Sequence, residues 1–306
     1  MTDEPEYMIE CDNLVKIYKT LDTEVMALQG LDLTVRRAEI MAIIGSSGSG
    51  KSTLLNILGG LDTPTMGSVT VDGRDLRKLN RIQLAAYKRE TVGFVWQNNA
   101  RNLIPYLTAR ENVELVGWIG GSRDREFGKS LIDMVGLSKR KNSKLRELSG
   151  GEQQRVAIAI ALANKARILL ADEPTGAVDT LTCVSLMEVF NTLRTELGIT
   201  VVIVSHDPNI TKYTDRVVAI RDGKTSSELL RTEMIKSIDT LEAFQEEHLE
   251  LAVVDRAGRV QIPADHLKKL SIGNRSKVRI DVDDDRISIY PMELTGESDG
   301  DNDNQF

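Results

Sequence analysis

The segment Gly45-Ser46-Ser47-Gly48-Ser49-Gly50-Lys51-Ser52 fits the pattern GxxxxGK[ST]. Glycines let backbone N–H groups curl around a polyphosphate, and a helix starting behind them presents the positive end of its dipole. In that geometry Lys51 reaches the β- and γ-phosphates of a nucleotide, and the Ser52 hydroxyl ligates Mg²⁺. A plain Gly/Ser turn would not account for the lysine, the hydroxyl after it and the apolar run 40–44 before it. The nucleotide-binding set is Gly45, Ser46, Ser47, Gly48, Ser49, Gly50, Lys51, Ser52 and Thr53.

Ile168-Leu169-Leu170-Ala171-Asp172-Glu173 reads as a buried strand ending in two carboxylates. At the carboxyl end of a parallel strand they face the ligand crevice. Asp172 suits Mg²⁺ binding through water, and Glu173 suits orienting and deprotonating an attacking water. His206 closes the apolar run 202–205, and its strand end is expected beside that of Asp172, within reach of the γ-phosphate. Gln97 ends the run Phe94-Val95-Trp96 and is expected to contact Mg²⁺ or the lytic water.

These residues need a scaffold that sets strand ends side by side. Residues 7–44 read as short strands broken by Asp, Thr and Gly, followed by the glycine-rich loop and a helix over 51–58. Strand–loop–helix is the context that a phosphate loop requires. Residues 69–71 and 93–97 read as further strands. Between 108 and 164 apolar residues recur at helical spacing through Val113, Val116, Leu131, Met134 and Val135, which predicts an inserted helical subdomain. Strands return at 168–171 and 200–204, separated by a helix near 180–196. Runs apolar on both faces suit a parallel sheet covered by helices.

The bulk numbers suit a soluble globular chain: 41% apolar residues, 28% charged and a net charge of -7. That balance argues against a general nucleic-acid binder. Cys11 and Cys183 are the only cysteines and sit in no metal-ligand spacing, so both are expected to be reduced thiols. The acidic start MTDEPEYMIE lacks the order of a signal peptide, and no apolar run approaches the ~20 residues of a spanning helix. Work at a membrane would leave the spanning to another chain.

Leu148-Ser149-Gly150-Gly151-Glu152-Gln153-Gln154-Arg155 resembles the signature sequence of ABC-type ATPases, and the Lys51 loop, Gln97, Asp172-Glu173 and His206 follow that family's order. The resemblance covers roughly residues 7–228. It implies an α/β P-loop ATPase core that forms a head-to-tail dimer. Each ATP would lie between the Lys51 loop of one copy and Ser149, Gly150 and Gly151 of the other. A second glycine-rich helix start is chemically suited to that, because its N–H groups approach the γ-phosphate from the opposite side. By the same resemblance Tyr18 stacks on adenine, and residues 175–179, ending in Asp179, link the two sites. Two departures stand out: Gly176 where the family shows Ser, and Ile160 where it shows Arg. Neither removes a catalytic group, so an active ATPase is expected.

The strings Gly59-Gly60-Leu61-Asp62, Asn102-Leu103-Ile104-Pro105 and Thr108-Ala109-Arg110-Glu111-Asn112-Val113 resemble the ATPases of the MacB, lipoprotein-releasing and cell-division FtsE type. Those serve membrane subunits that transmit motion across the membrane. The resemblance implies a separate integral membrane permease as partner, a position on the cytoplasmic face of the membrane, and a groove over 98–118 that accepts a coupling helix.

Residues 229–250 read as an acidic, helical linker. Beyond it, 251–292 switch to period-two alternation: a Gly258 turn between two short strands, a helix opened by Pro263 over 264–270, and a strand pair around Asp283-Asp284-Asp285. About 40 residues is too little to bury a stable core alone, so this segment should pair with its own copy or dock on the ATPase. Asp255-Arg256-Ala257-Gly258-Arg259-Val260-Gln261-Ile262-Pro263 resembles the AbrB/SpoVT family, which implies a swapped-hairpin dimer. DNA binding, also common there, is not expected: residues 251–293 hold eight Lys/Arg against seven Asp/Glu. Arg256, Arg259, Lys268 and Arg275 are the cations that would have to cluster. The domain's role is then a clamp that keeps two ATPase domains at high effective concentration. Residues 293–306 form an acidic tail expected to be disordered. The leading reading is an ATP-hydrolysing transporter subunit, and the alternative is a soluble DNA-associated ATPase with the final domain as reader. A nucleotide sensor without turnover is disfavoured by Glu173 and His206.

Overall fold

The computed structural model describes residues 6–19, 23–97, 103–121, 124–175, 180–231, 248–254, 258–260, 262, 264–273, 278–283 and 286–291. They fall into two compact units, Met1–Val253 and Val254–Phe306.

In the first unit, strands β3 (Ile40–Ile44), β6 (Val92–Val95), β7 (Ile168–Asp172), β8 (Thr200–Ser205), β9 (Arg216–Arg221), β10 (Lys224–Arg231) and β11 (His248–Ala252) form one seven-stranded sheet. Its order is β11-β10-β9-β3-β8-β7-β6, parallel from β9 to β6 and antiparallel at β10 and β11. A second, antiparallel sheet of order β2-β1-β4-β5 contains β1 (Tyr7–Lys19), β2 (Glu24–Arg36), β4 (Met66–Val71) and β5 (Arg74–Asp75).

Alternation along the central strands sorts side chains into two cores. Ile40, Ala42, Leu169, Ala171, Val201 and Ile203 face a helical layer. That layer is made of α3 (Ala109–Ile119), α4 (Arg125–Met134), α5 (Gly150–Leu162) and α6 (Thr180–Leu197). Met41, Ile43, Ile168, Leu170, Val202 and Val204 face the antiparallel sheet, α1 (Lys51–Leu58) and Tyr87 of α2 (Arg81–Glu90). Apolar side chains on both faces explain why these strands read as unbroken hydrophobic runs. The helical periodicity of the insertion corresponds to burial of Val113, Leu131 and Val135, with Val116 and Met134 packed against them. Ile160 is 6% exposed and belongs to this core, so the residue that replaces the family's arginine packs rather than contacts solvent.

At the opposite end of the sheet from the phosphate loop, Arg216 is 8% exposed and donates from Nε to Glu39 Oε1 at 2.8 Å. It also donates to Glu228 Oε2 at 3.3 Å and to the Thr34 carbonyl, tying the two sheets together.

The expected helical linker over 229–250 is corrected at both ends. Leu229, Leu230 and Arg231 complete β10, and His248, Leu249 and Glu250 open β11, with Leu229↔Glu250 and Leu230↔Leu249 in register. A free sheet edge pulls Leu- and Glu-rich segments into strand against their helical preference. The strand expected over 93–97 ends at Val95.

The second unit contains α7 (Ala264–Lys269) and a hairpin of β12 (Val278–Asp283) with β13 (Arg286–Pro291), and Gly258 turns at φ +74° beside a Val254↔Val260 bridge. In the hairpin Ile280 faces Ile289 and Val282 faces Ile287, which gathers apolar side chains on one face. Ile280, Val282 and Ile287 remain exposed within this unit. Residues 176–179, 98–102 and 293–306, together with Arg256, Arg275, Asp284 and Asp285, lie outside the described residues, and so do the expectations placed on them, Asp179 included.

Candidate active site

The order β3-β8-β7-β6 sets four carboxyl ends in a row. Ile44 pairs with Ser205, Val204 with Asp172, and Ala171 with Val95. The glycine-rich loop, His206, the Asp172-Glu173 pair and Gln97 therefore emerge side by side, in the crevice where open α/β sheets bind ligands.

The loop is fitted by its glycines. A Cβ on Gly45 would lie 2.3 Å from the Ile220 carbonyl oxygen, and one on Gly50 2.4 Å from that of Ala27. Gly50 takes φ +101° as the residue before α1, a conformation open to glycine. The loop holds itself together through Ser49 N–H to Ser46 O, and Gly223 N–H to Ser49 O. Lys51 is 7% exposed and folds back, Nζ donating to the carbonyls of Gly45 and Ser46 at 2.8 Å each. Burial pulls the Lys51 ammonium below its ordinary range, against the pull of Glu173 and Asp172, whose charges favour it. The buried Ser49 Oγ has no hydrogen-bond partner among the described residues. A buried cation resting on neutral carbonyls beside an unpartnered hydroxyl, before a helix start, is what a polyphosphate would satisfy.

The Ser52 hydroxyl lies near the Asp172 carboxylate and favours its charged form. Burial raises the Asp172 carboxyl above its ordinary value, and the neighbouring Glu173 charge adds to that. Two adjacent carboxylates beside a hydroxyl suit a hard divalent cation.

Glu173 adopts φ +48° with its N–H bound to the Val204 carbonyl at 2.9 Å, an uncommon conformation for a residue with a side chain. Gln97 Nε2 donates to Glu173 Oε2 at 2.8 Å, and His206 Nδ1 lies 3.1 Å from Glu173 Oε1. The carboxylate is held between them, so a water on it would meet a base with fixed orientation. Gln97 and His206 thus meet Glu173 directly, a contact not read from the sequence.

Tyr18 donates its hydroxyl to Asp62 Oδ2 at 2.7 Å. Sequence reasoning gave Asp62 no role, and the structure brings it against Tyr18 and Lys16. Its only signal was its place in the string Gly59-Gly60-Leu61-Asp62.

Ser149, Gly150 and Gly151 open α5 in the helical layer. Ser149 caps the helix reciprocally: Glu152 N–H donates to Ser149 Oγ at 3.2 Å, and Ser149 N–H to Glu152 Oε2 at 2.8 Å. Ser149 and Gly150 are exposed, and a Cβ on Gly150 would meet nothing within 4 Å, so this helix start is open to a ligand brought from outside. A Cβ on Gly151 would lie 2.4 Å from Thr182 Cγ2 of α6. Thr108 caps α3 in the same way with Glu111. Buried Asn112 bonds Ile104 N–H at 2.8 Å and the carbonyls of Ile104 and Thr108, fastening the loop before α3.

The family model for the ABC transporter matches residues 28–176. The uncharacterized ABC transporter ATP-binding protein MJ0796 of Methanocaldococcus jannaschii is 43% identical over 228 residues, covering 72% of this chain and 96% of that protein. The macrolide export ATP-binding/permease protein MacB of Brucella melitensis is 42% identical over 248 residues; these cover 80% of this chain, which spans only 37% of that relative's length. A solved dimeric structure of the MJ0796 cassette in a post-hydrolysis state bound to ADP and Pi has 41% identity and a TM-score of 0.64, covering 72% of this chain and 97% of that one. With the phosphate loop, the carboxylate pair and the capped signature helix all in place, this chain belongs to the ATP-binding proteins of ABC transporters and is an ATPase of that family.

Proposed function

We propose that the chain is the energising subunit of a membrane complex of the MacB, lipoprotein-releasing or FtsE type. In this reading two copies close head to tail around two Mg·ATP and drive a separate permease from the cytoplasmic face. The observation that carries it is the Glu173 carboxylate held by Gln97 and His206, one strand away from a phosphate loop whose Lys51 waits on carbonyls.

Lys51 would leave the Gly45 and Ser46 carbonyls for the β- and γ-phosphates. Ser52, Asp172 and the Gln97 amide oxygen are the residues that would hold Mg²⁺, which supplies charge neutralisation across the phosphates. Glu173 takes the proton of the attacking water while His206 fixes its orientation and approaches the γ-phosphate. The open start of α5, at Ser149, Gly150 and Gly151, supports a role for it on the partner copy's nucleotide, with Asp179 in the connecting loop. The similar MJ0796 cassette has been solved as a dimer bound to ADP and Pi, which supports pairing of two copies.

No helix among the described residues is long and apolar enough to cross a membrane, which agrees with a permease on another chain. The exposed Ile104, Tyr106, Trp118 and Ile119, on the loop and helix that Asn112 fastens, support a coupling groove over 98–118. The exposed apolar ladder of β12 and β13 supports an AbrB/SpoVT-like pairing of the second unit with its own copy, which would cover that face and clamp two ATPases together.

The test is recovery of this chain from detergent-solubilised native membranes, with bound proteins identified by mass spectrometry. A permease with large extracytoplasmic regions is expected. Recovery with nucleic acid and no membrane protein would overturn the reading.

A further inference from the structure

Lys16 and Tyr18 stand two residues apart on β1, so both project from the same face. Lys16 Nζ donates to Asp62 Oδ1 at 2.5 Å and to the Thr63 carbonyl at 2.8 Å, and lies 4.8 Å from the centroid of the Tyr18 ring. The Tyr18 hydroxyl donates to the other oxygen, Asp62 Oδ2, at 2.7 Å. One carboxylate therefore holds the phenol by its tip and the ammonium that covers one ring face. Tyr18 keeps 39% of its surface open, so the ring retains room for a flat partner.

Asp62 is itself fixed before any ligand arrives. Leu61 and Asp62 both donate backbone N–H groups to the Asn56 carbonyl, at 2.9 and 3.2 Å, closing the end of α1. Gly60 makes that turn at φ +66°, and a Cβ there would lie 2.9 Å from Leu84 Cδ1. The helix whose first residue is Lys51 is thus followed directly by the group that aims Tyr18.

We propose that Asp62, with Lys16, is a positioning residue for the nucleotide base: it presets the Tyr18 ring relative to the phosphate loop, so that base and triphosphate are measured by one rigid unit. The proposal rests on the reading of Tyr18 as the stacking platform. A ring already ordered loses less freedom on binding, so the effect falls on nucleotide affinity rather than on the hydrolytic step. A ring platform meets a purine by its face, so ATP and GTP are expected to be affected alike.

The test measures KM and kcat for ATP and GTP in Asp62→Ala, Asp62→Asn, Tyr18→Phe, Tyr18→Ala and the Asp62→Ala/Tyr18→Phe double variant. Inhibition by inorganic tripolyphosphate, which has no base, is measured alongside. Asp62→Ala and Tyr18→Phe are each expected to raise KM about threefold to tenfold, and the double variant no further than Asp62→Ala alone, because both remove one interaction. Asp62→Asn, which keeps an acceptor for the phenol, falls between. The tripolyphosphate inhibition constant stays where it was. If Asp62→Ala weakens tripolyphosphate as much as ATP, Asp62 acts through α1 and the proposal is overturned. If Tyr18→Ala raises KM while both Asp62 variants leave it unchanged, the platform stands and the proposal falls. A Tyr18→Ala protein with unchanged KM would instead sink the platform reading itself.

Discussion

His206 Nδ1 sits 3.1 Å from Glu173 Oε1, and the other Glu173 oxygen is already occupied by Gln97 at 2.8 Å. The histidine and glutamine therefore both contact the one carboxylate. Glu173→Gln is expected to lower kcat by at least about a hundredfold while still binding ATP, because it removes the proton acceptor without changing the shape. His206→Ala should lower kcat by about tenfold to a hundredfold with a smaller change in KM. Steady-state phosphate release, with nucleotide affinity measured separately, checks both. Wild-type turnover in Glu173→Gln would remove Glu173 from the mechanism.

Gly151 is fitted against α6, with Thr182 Cγ2 2.4 Å from where a Cβ would stand. Gly151→Ala is expected to destabilise the chain by about 1–3 kcal/mol through overpacking. Adding Thr182→Ser, which deletes that methyl group, should recover most of the loss. Denaturant midpoints of the two single variants and the double variant decide it; additive losses would mean that the clash is relieved elsewhere.

The Arg216–Glu39 pair is buried from both sides, at 8% and 4% exposure. Glu39→Ala leaves a guanidinium without its main partner and is expected to cost about 3–5 kcal/mol. Replacing both residues by apolar ones of similar volume should cost less than Glu39→Ala alone. Urea denaturation measures the difference.

Burial pushes the Cys11 thiol up to about 12, with the charge of Asp32 adding to it. The folded value lies above the unfolded one, so the associated stability is complete below the unfolded pKa and is lost as pH rises toward the folded value. Between these values the loss is about 1.4 kcal/mol per pH unit. Cys11→Ala should flatten the fall in denaturant midpoint between neutral and alkaline buffers, whatever it does to the midpoint at neutral pH. A parallel fall in both proteins would contradict the shift.

Chemistry was the most legible part of this chain, because its residues sit in local strings. The Lys51 loop, the Asp172-Glu173 strand end and the Ser149 cap each depend on neighbours within a few positions, and the helix predicted over 51–58 is α1 to the residue. What escaped prediction depends on pairs remote in sequence. Gln97 and Glu173 are separated by 76 positions and meet because β6 and β7 are adjacent. Asp62 meets Lys16 and Tyr18 across 46 and 44 positions. The misread linker has the same origin: nothing local in His248-Leu249-Glu250 says strand, and the edge of β10 decides it.

That edge has a colloidal consequence. β11 pairs the outer row of N–H and C=O groups of β10 and takes its place as an edge of the seven-stranded sheet. A shortened chain ending before His248 would bare Leu229 and Leu230 on an unprotected border, inviting strand-to-strand stacking between molecules. One ending at Val253 would keep β10 paired and leave the short β11 as the edge. Light scattering of the two on gentle warming should separate them, so the shelf life of an isolated ATPase would rest on five residues that look dispensable.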